Sequence, residues 1–251
     1  MNWWQSIILG ISQGITEWLP ISSDGHLVLL EKIMAVQVNI AFDIFLHLGS
    51  LLVIIIFFRE QLKSFIKDFF KKPSAWPQDR KKWWQYFLIS TLLTGIIGLS
   101  IYPFIENLRT LEMAAYGFLV TSLFVGLSFW SKEKREFSYK IAILIGIVQG
   151  LAVLPGVSRS GLSLSVALLY GLKRQAAFDY VFILAIPAII ASFILSVKDL
   201  AWQPVYLLGF FTTIIVGLLA LNLLKKIVQN NKFYQFCFYT LVLGLVILVL
   251  N

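Results

Sequence analysis

Six apolar stretches, each about 20 residues long, constrain this chain more than any other feature of its sequence. They are residues 40–58, 83–104, 113–130, 176–195, 204–224 and 233–250. A helix needs about 20 mostly apolar residues to cross the hydrocarbon core of a bilayer. Hydrophobic residues make up 59% of the chain and charged residues only 14%, so the polar surface is too small to cover a soluble fold. The sequence predicts an all-α, polytopic membrane protein with six transmembrane helices, and it disfavours a nucleic-acid partner.

Two further apolar segments are interrupted in the middle and do not fit as simple spans. They are residues 7–36 and 141–172, which are broken by LPISSDGH at 19–26 and LPGVSRSG at 154–161. Each half has about 10–15 residues and is too short to cross alone. Broken backbone is tolerated at membrane depth only where protein or a water-filled cavity surrounds it. Both segments are therefore predicted to be re-entrant helical hairpins.

The two halves of the chain are related by an internal repeat. An ungapped shift of 136 residues aligns nine identical pairs, including Gly10 with Gly146, Ser22 with Ser158 and Asp43 with Asp179. We expect one membrane domain over residues 1–251 with repeats at about 1–135 and 136–251. Because a hairpin and three spans reverse the side from which the chain enters, the repeats are expected to have inverted topology.

The distribution of basic residues predicts the orientation. On that topology, 17 of the 21 Lys and Arg residues fall on the face that holds residues 59–82, and three fall on the other. Basic residues accumulate in cytoplasmic loops, so both termini and the mouth of the first hairpin are expected outside. Within 59–82, phenylalanines alternate with lysines, and we weigh an amphipathic interfacial helix against a plain basic loop.

Ionisable residues at bilayer depth are the candidates for chemistry, because burying a charge there is costly. The hairpin tips bring together an arginine, two acids, a histidine and several hydroxyl and amide groups. They are Gln13, Glu17, Ser22, Ser23, Asp24, His26, Ser158, Arg159 and Ser160. Arg159 can bind phosphate bidentately, and the backbone from Gly156 onward offers N–H groups to an anion. Glu17 suits a divalent cation or a general base.

The remaining residues have more than one interpretation. Ser23 is a candidate nucleophile that His26 could activate, although a serine at a helix break often only satisfies freed backbone groups. Asp43 and Asp179 fit a role at helix N-termini, and His47 fits a hydrogen-bonded core histidine. The combined set points to phosphoryl transfer or phosphate recognition.

Four sequence motifs are spread over both halves of the chain. They are QGITEWLPISSDGHL at 13–27, LHLGS at 46–50, LPGVSRSGLS at 154–163 and GLKRQAAFD at 171–179. Together they resemble the undecaprenyl pyrophosphate phosphatase family of the bacitracin-resistance type. The resemblance covers nearly the whole chain. It implies two inverted repeats with re-entrant helices in a bacterial plasma membrane. It also implies hydrolysis of the polyprenyl pyrophosphate carrier of cell-wall synthesis to its monophosphate, at a site facing the outer side.

The resemblance also implies roles for individual residues. Gln13 and Glu17 are implied to bind a divalent cation, Mg²⁺ or Ca²⁺, or to act in acid–base steps. Ser22 and Ser23 correspond to the paired serines, with Ser23 the implied nucleophile or a pyrophosphate contact and His26 its acid–base partner. The implied pyrophosphate-binding residues of the second hairpin are Ser158, Arg159 and Ser160, and the backbone at Gly156 is the further candidate named above.

The chain departs from the family pattern at several positions. Asp24 stands where a small polar residue is usual, and Gln13 leaves one carboxylate fewer for a cation. Ser163 stands where the family commonly has threonine, and Leu93 stands where it often has proline. An alternative function uses the same inverted-repeat cavity as a transporter or flippase of polyprenyl phosphate, and a homodimer is a possible assembly. Phosphate release from farnesyl pyrophosphate with Mg²⁺ distinguishes the enzyme from the carrier.

Overall fold

The computed structural model describes residues 1–36, 40–69, 77–199 and 201–250, and every regular secondary-structure element in these ranges is a helix. The α-helices in these ranges are α1 Trp3–Thr16, α2 Ser23–Ile33, α3 Ile40–Phe57, α4 Arg59–Phe69, α5 Gln78–Ile101, α6 Ile105–Leu108, α7 Leu111–Leu127, α8 Tyr139–Leu151, α9 Arg159–Tyr170, α10 Arg174–Ser196, α11 Tyr206–Gln229 and α12 Phe236–Leu250. Short 3₁₀ turns extend or precede some of them, at Tyr102–Phe104, Ser128–Trp130, Val197–Asp199 and Phe233–Gln235. The prediction of an all-α membrane protein is confirmed.

Five helical segments in the described ranges are long and apolar enough to cross a bilayer. They are Gln78–Leu108, Leu111–Trp130, Arg174–Ser196, Tyr206–Gln229 and Phe233–Leu250. A sixth candidate is Ala41–Phe57, which continues into Arg59–Lys67 after a bend of 77°. The helix α5 begins at Gln78, before the apolar stretch predicted at 83–104. Its first residues are polar and charged, and they extend the helix beyond the apolar part of the span.

The basic segment after α3 folds into the helix α4. Phe65 is buried in it and stacks on Trp83, with ring centroids 4.3 Å apart, while Lys67 on the same helix is exposed. Burying an aromatic face and exposing lysines is the behaviour of an interfacial helix. Part of the predicted pattern, Phe70, Lys71 and Lys72, lies outside the described residues.

Each interrupted apolar segment forms two short helices joined by a break. The first pair is α1 and α2 and the second is α8 and α9, and the members of each pair pack on each other. The longest of the four, α1, has 14 residues and reaches about 21 Å at 1.5 Å per residue. This is shorter than the hydrocarbon core of about 30 Å, so a single helix of either pair cannot cross.

The first helix of each hairpin packs against a helix of the other half of the chain. The helix α1 lies along α11, and its counterpart α8 lies along α5. Glycines allow both approaches: a Cβ on Gly10 would stand 2.4 Å from the carbonyl oxygen of Gly209, and one on Gly146 would stand 2.8 Å from Cα of Ser90. Small residues at these crossings let membrane helices pack at close backbone distance.

Both breaks end in the same serine cap. Ser22 precedes α2 and its Oγ accepts a hydrogen bond from the backbone N–H of Gly25 at 3.3 Å. Ser158 precedes α9 and its Oγ accepts from the N–H of Gly161 at 3.0 Å. Each serine thus satisfies an N–H that has no partner within its helix. The two serines, 136 residues apart, start both returning helices at the hairpin tips.

The two hairpin tips are packed against each other. A Cβ built on Gly25 would stand 3.0 Å from Cα of Gly156, and one on Gly161 would stand 3.3 Å from Cβ of Pro20. Gly156 has a φ of +80° and lies directly against the Ala114 carbonyl of α7, a conformation and a space that exclude any side chain. The contact between the tips brings α2 and α9 to one place with their N-termini together.

Candidate active site

Glu17 is the residue around which the site is built. Its side chain is only 3% exposed. The Oε2 atom accepts hydrogen bonds from Ser23 Oγ at 2.6 Å and from Gln13 Nε2 at 3.2 Å. Gln13 and Glu17 lie one helical turn apart and face the same way, as the sequence predicts, and the break after α1 brings Ser23 back to the same carboxylate.

Arg159, the first residue of α9, is the partner of Glu17 across the two hairpins. Its Nη2 donates to Glu17 Oε1 in an ion pair. Its Nη1 is buried and has no hydrogen-bond partner in the part of the chain that the structure describes. Because guanidinium is always charged and binds phosphate in a fork, the unpartnered Nη1 is suited to an anion that enters beside Glu17.

A third helix contributes a residue that sequence reasoning assigned to the core. His47 of α3 places Nε2 at 3.3 Å from Glu17 Oε2 and at 3.7 Å from Asp24 Oδ1. The one available signal was local: Asp43 and His47 are one turn apart on the same face of an otherwise apolar helix. No property of the first hairpin's own sequence indicates that α3 reaches Glu17.

His26 lies apart from the carboxylate. Its Nδ1 is 2.7 Å from the carbonyl oxygen of Ser22, and its Nε2 is 2.7 Å from the hydroxyl of Tyr239. Ser22 has a φ of 67°, which is unusual for a residue with a side chain, and the His26 contact helps to hold its carbonyl. The predicted hydrogen bond between Ser23 and His26 is therefore not formed in this structure, because both ring nitrogens have other partners and Ser23 donates to Glu17.

The remaining predicted residues of the second hairpin line the same region. Ser158 Oγ and Ser160 Oγ are 3.2 Å apart. The Ser160 hydroxyl also reaches the carbonyl oxygen of Leu19 on the first hairpin, at 3.4 Å. The carbonyl of Gly156 accepts from Thr121 at 3.0 Å, so this residue shapes the turn. The N-termini of α2 and α9 meet here, and helix N-termini favour an anion.

A cavity of about 180 Å³ opens between the two hairpins. Its polar wall contains Glu17, Ser23, Asp24, His47, Ser158 and Arg159. Its apolar wall comes from the break that follows α8, with Val153, and from α10, with Ile189. A charged group and an apolar chain can therefore occupy neighbouring parts of one cavity. This combination suits the head group of an anionic lipid better than a wholly polar solute.

A second buried charge cluster lies at the wall of the cavity, near the C-terminus of α2 and the N-terminus of α3. Arg109 donates to Glu31 Oε1 at 2.6 Å and forms an ion pair with Asp43. The sequence assigned Asp43 to the N-terminus of its helix, and it does lie in the first turn of α3. Its ion pair also ties α3 to α2 and to the loop before α7. Asp179, which the 136-residue shift aligns with Asp43, lies beyond the first turn of α10, so its predicted place at a helix N-terminus is wrong. It accepts a hydrogen bond from Gln175 at 2.6 Å.

The residues predicted to bind a cation do not form a complete site by themselves. Gln13 presents its Nε2 to Glu17, so the amide oxygen and the carboxylate do not converge on one point, and both oxygens of Glu17 already have protein partners. No group of three His, Cys, Asp or Glu side chains within the described ranges is arranged to hold a metal. Mg²⁺, however, is often held by one or two carboxylates together with substrate phosphates and water. The site therefore fits a cation that arrives with a phosphate ligand.

Comparison with known proteins assigns the chain to one family. The model of the family described as bacitracin resistance protein BacA matches residues 6–246. Undecaprenyl-diphosphatase from Korarchaeum cryptofilum is 36% identical over 98% of this chain and 98% of its own length. The proteins of the same name from Carboxydothermus hydrogenoformans and Methanosphaera stadtmanae are 37% and 35% identical, over 100% and 98% of this chain and 98% and 97% of theirs. The chain belongs to the BacA family.

Proposed function

We propose that this chain is a membrane phosphatase that hydrolyses undecaprenyl or a related polyprenyl pyrophosphate to the monophosphate and inorganic phosphate. Relatives that match over their whole length carry the name undecaprenyl-diphosphatase. The observation that carries the proposal is the Arg159 guanidinium. Its Nη2 donates to Glu17, and its Nη1 is buried without a hydrogen-bond partner among the described residues. The Ser23 hydroxyl donates to the other oxygen of the same carboxylate. The names of the relatives do not favour the carrier alternative.

The proposed substrate spans both parts of the cavity. The pyrophosphate lies against Arg159 and the N-termini of α2 and α9, where positive charge and free N–H groups stabilise an anion. The isoprenoid chain leaves along the apolar wall that Val153 and α10 provide. Charge that develops on the phosphoryl oxygens in the transition state is stabilised by the fixed guanidinium, which needs no reorganisation because Glu17 already orients it.

The attacking group is the Ser23 hydroxyl or a water molecule in its place. Ser23 Oγ donates to Glu17 Oε2 at 2.6 Å, so Glu17 is positioned to take the proton as the oxygen bonds to the terminal phosphorus. The bond from that phosphorus to the bridging oxygen breaks, and the lipid monophosphate leaves. In the serine route, water then cleaves the phosphoserine and releases inorganic phosphate. The proposed contribution of His26 is to hold the Ser22 carbonyl at the start of α2.

A divalent cation, Mg²⁺ or Ca²⁺, remains part of the proposal. Glu17 is the predicted protein ligand, with Gln13 one helical turn before it on α1 as the second predicted ligand. When bound with the pyrophosphate, such an ion would neutralise negative charge on the phosphates. The residues described above orient the substrate and move the proton whether the ion is bound by protein side chains or by the substrate phosphates alone.

The arrangement in the membrane is proposed from the charge distribution and the repeat. Two hairpins and six spans form inverted repeats over about 1–135 and 136–251 in a bacterial plasma membrane, with both termini and the mouth of the cavity outside. The matched packing of α1 on α11 and of α8 on α5 supports the repeat. Labelling of single cysteines at Asn2, Ser74 and Asn251 with a membrane-impermeant maleimide tests the orientation. Labelling of the ends and protection of residue 74 are expected, and the reverse pattern contradicts the orientation.

Phosphate release tests the function itself. The purified protein in detergent, supplied with farnesyl pyrophosphate and Mg²⁺, is expected to release inorganic phosphate and farnesyl monophosphate in equal amounts. Glu17→Gln is the matched loss-of-function control, because it keeps the shape of the side chain and removes its charge. Movement of lipid between leaflets with no phosphate release would support the carrier function instead.

A further inference from the structure

His47 stands between two carboxylates at the wall of the cavity. Its Nε2 is 3.3 Å from Glu17 Oε2 and 3.7 Å from Asp24 Oδ1. The side chain of Glu17 is 3% exposed and that of Asp24 is 41% exposed. The imidazole therefore joins an acid inside the site to an acid on the open side of the cavity, and it is itself only 17% exposed.

The other nitrogen of the ring fixes its orientation. His47 Nδ1 lies 2.8 Å from the carbonyl oxygen of Asp43, one turn earlier on α3. A carbonyl oxygen only accepts, so Nδ1 carries a hydrogen. The Nε2 atom faces two carboxylates and can serve them only as a donor. Both ring nitrogens therefore act as donors: Nδ1 to the Asp43 carbonyl, and Nε2 toward the carboxylates of Glu17 and Asp24.

We infer that His47 is a positioning residue of the hydrolysis, with two separable effects. It holds the Glu17 carboxylate from the side opposite Arg159, so that Oε1 stays with the guanidinium and Oε2 stays with Ser23. It also offsets the negative charge of Asp24, which would otherwise repel a pyrophosphate that enters the cavity. This inference rests on the proposed function, and it explains how the chain tolerates an acid at residue 24.

The two effects predict different kinetic changes in two variants of residue 47. His47→Leu removes both N–H groups and keeps an apolar side chain of similar reach. It is expected to lower kcat for phosphate release about 100-fold, since a misplaced catalytic group costs about this much. It is also expected to raise KM about tenfold, because Asp24 is no longer offset. His47→Gln keeps a donor for Glu17 and is expected to recover about tenfold of the lost kcat.

Asp24 provides the test that separates positioning from simple structural support. In the His47→Leu background, Asp24→Asn is expected to return KM to within about threefold of the native value and to leave kcat low. Asp24→Asn alone, with His47 intact, is expected to change KM less than threefold. Asp179→Asn is the control for the loss of one carboxylate charge, since Asp179 accepts a hydrogen bond from Gln175 and does not line the cavity.

Several outcomes would overturn the inference. A folded His47→Leu protein with kcat within threefold of the native value would exclude positioning of Glu17. An equal loss of kcat in His47→Leu and His47→Gln would exclude the role of His47 as a hydrogen-bond donor to Glu17. An unchanged KM when Asp24→Asn is added to His47→Leu would exclude its role in offsetting the charge of Asp24. Unfolding temperature and gel-filtration profile are measured for each variant, and His47→Gln carries the test where His47→Leu does not fold. Absence of phosphate release from the native protein would contradict the proposed function, whereas release that is indifferent to residue 47 contradicts this inference alone.

Discussion

Replacing Arg159 with lysine isolates the contribution of the guanidinium. Lysine keeps the positive charge, but it has one nitrogen where arginine has a fork of two terminal nitrogens. In the native site, Nη2 donates to Glu17, while Nη1 has no hydrogen-bond partner among the residues described. A single ammonium group at the end of a lysine can favour Glu17 or a phosphate oxygen, but it cannot reproduce both contacts in the same geometry.

The expected magnitude follows from the loss of one contact. A hydrogen bond to a charged group contributes about 1.5–3 kcal/mol, and each 1.36 kcal/mol corresponds to a tenfold change in rate. Arg159→Lys is therefore expected to lower kcat/KM for phosphate release about 10- to 150-fold. Arg159→Ala is less informative, because it also leaves the buried Glu17 carboxylate without its main partner, which costs about 3–5 kcal/mol of stability when a buried pair is broken.

The assay is phosphate release from farnesyl pyrophosphate by protein purified in detergent, with the thermal unfolding midpoint measured on the same samples. The native protein and Arg174→Lys are the controls, since Arg174 pairs with Glu133 outside the cavity. A folded Arg159→Lys protein whose kcat/KM stays within threefold of the native value would refute the role of the unpartnered nitrogen.

Three further predictions concern the nucleophile, the turn and the cation. Ser23→Ala is expected to lower phosphate release at least about 1,000-fold and to abolish acid-stable labelling by a substrate with a labelled terminal phosphate; full turnover would leave only the water route. Gly156→Ala is expected to lower the free energy of unfolding by at least about 2 kcal/mol, because its φ is +80° and its new Cβ would stand 1.9 Å from the carbonyl oxygen of Ala114; an unchanged unfolding midpoint would refute this. Chelation is expected to reduce phosphate release more than tenfold and Mg²⁺ or Ca²⁺ to restore it, whereas insensitivity to chelator would contradict a cation in the reaction.

The positions of the helix breaks and the convergence of Arg159 and Glu17 were predictable from the sequence. Proline, glycine and serine in the middle of an apolar segment end a helix wherever the segment lies. The repeat then indicated that two such breaks exist. Charged residues in otherwise apolar segments need partners, and the two hairpins offered few candidates of opposite charge. These signals are local or follow from burial, so they can be read from one chain.

The surroundings of Glu17 could not be predicted in the same way. His47 reaches the site from α3, and this depends on how α3 packs beside α10 and α11. The partners of His26 depend in the same way on α12, which supplies Tyr239. The sequence offered His26 as the partner of Ser23 because the two are three residues apart, but the structure directs Ser23 to Glu17. Proximity along the chain predicted the wrong contact at the start of α2, where Ser23 donates back to Glu17 and His26 contacts Tyr239 of α12.

The most direct test of the account is a double-mutant cycle on Glu17 and Arg159. Phosphate release is measured for the native protein, Glu17→Gln, Arg159→Lys and the double variant under one set of conditions. If the two hairpins supply one functional unit, the effects of the two substitutions are non-additive. The kcat/KM of the double variant is then expected to lie no more than about threefold below that of the less active single variant. Losses that multiply, so that the double variant falls by the product of the two single effects, would mean that the carboxylate and the guanidinium act independently, and would contradict the account.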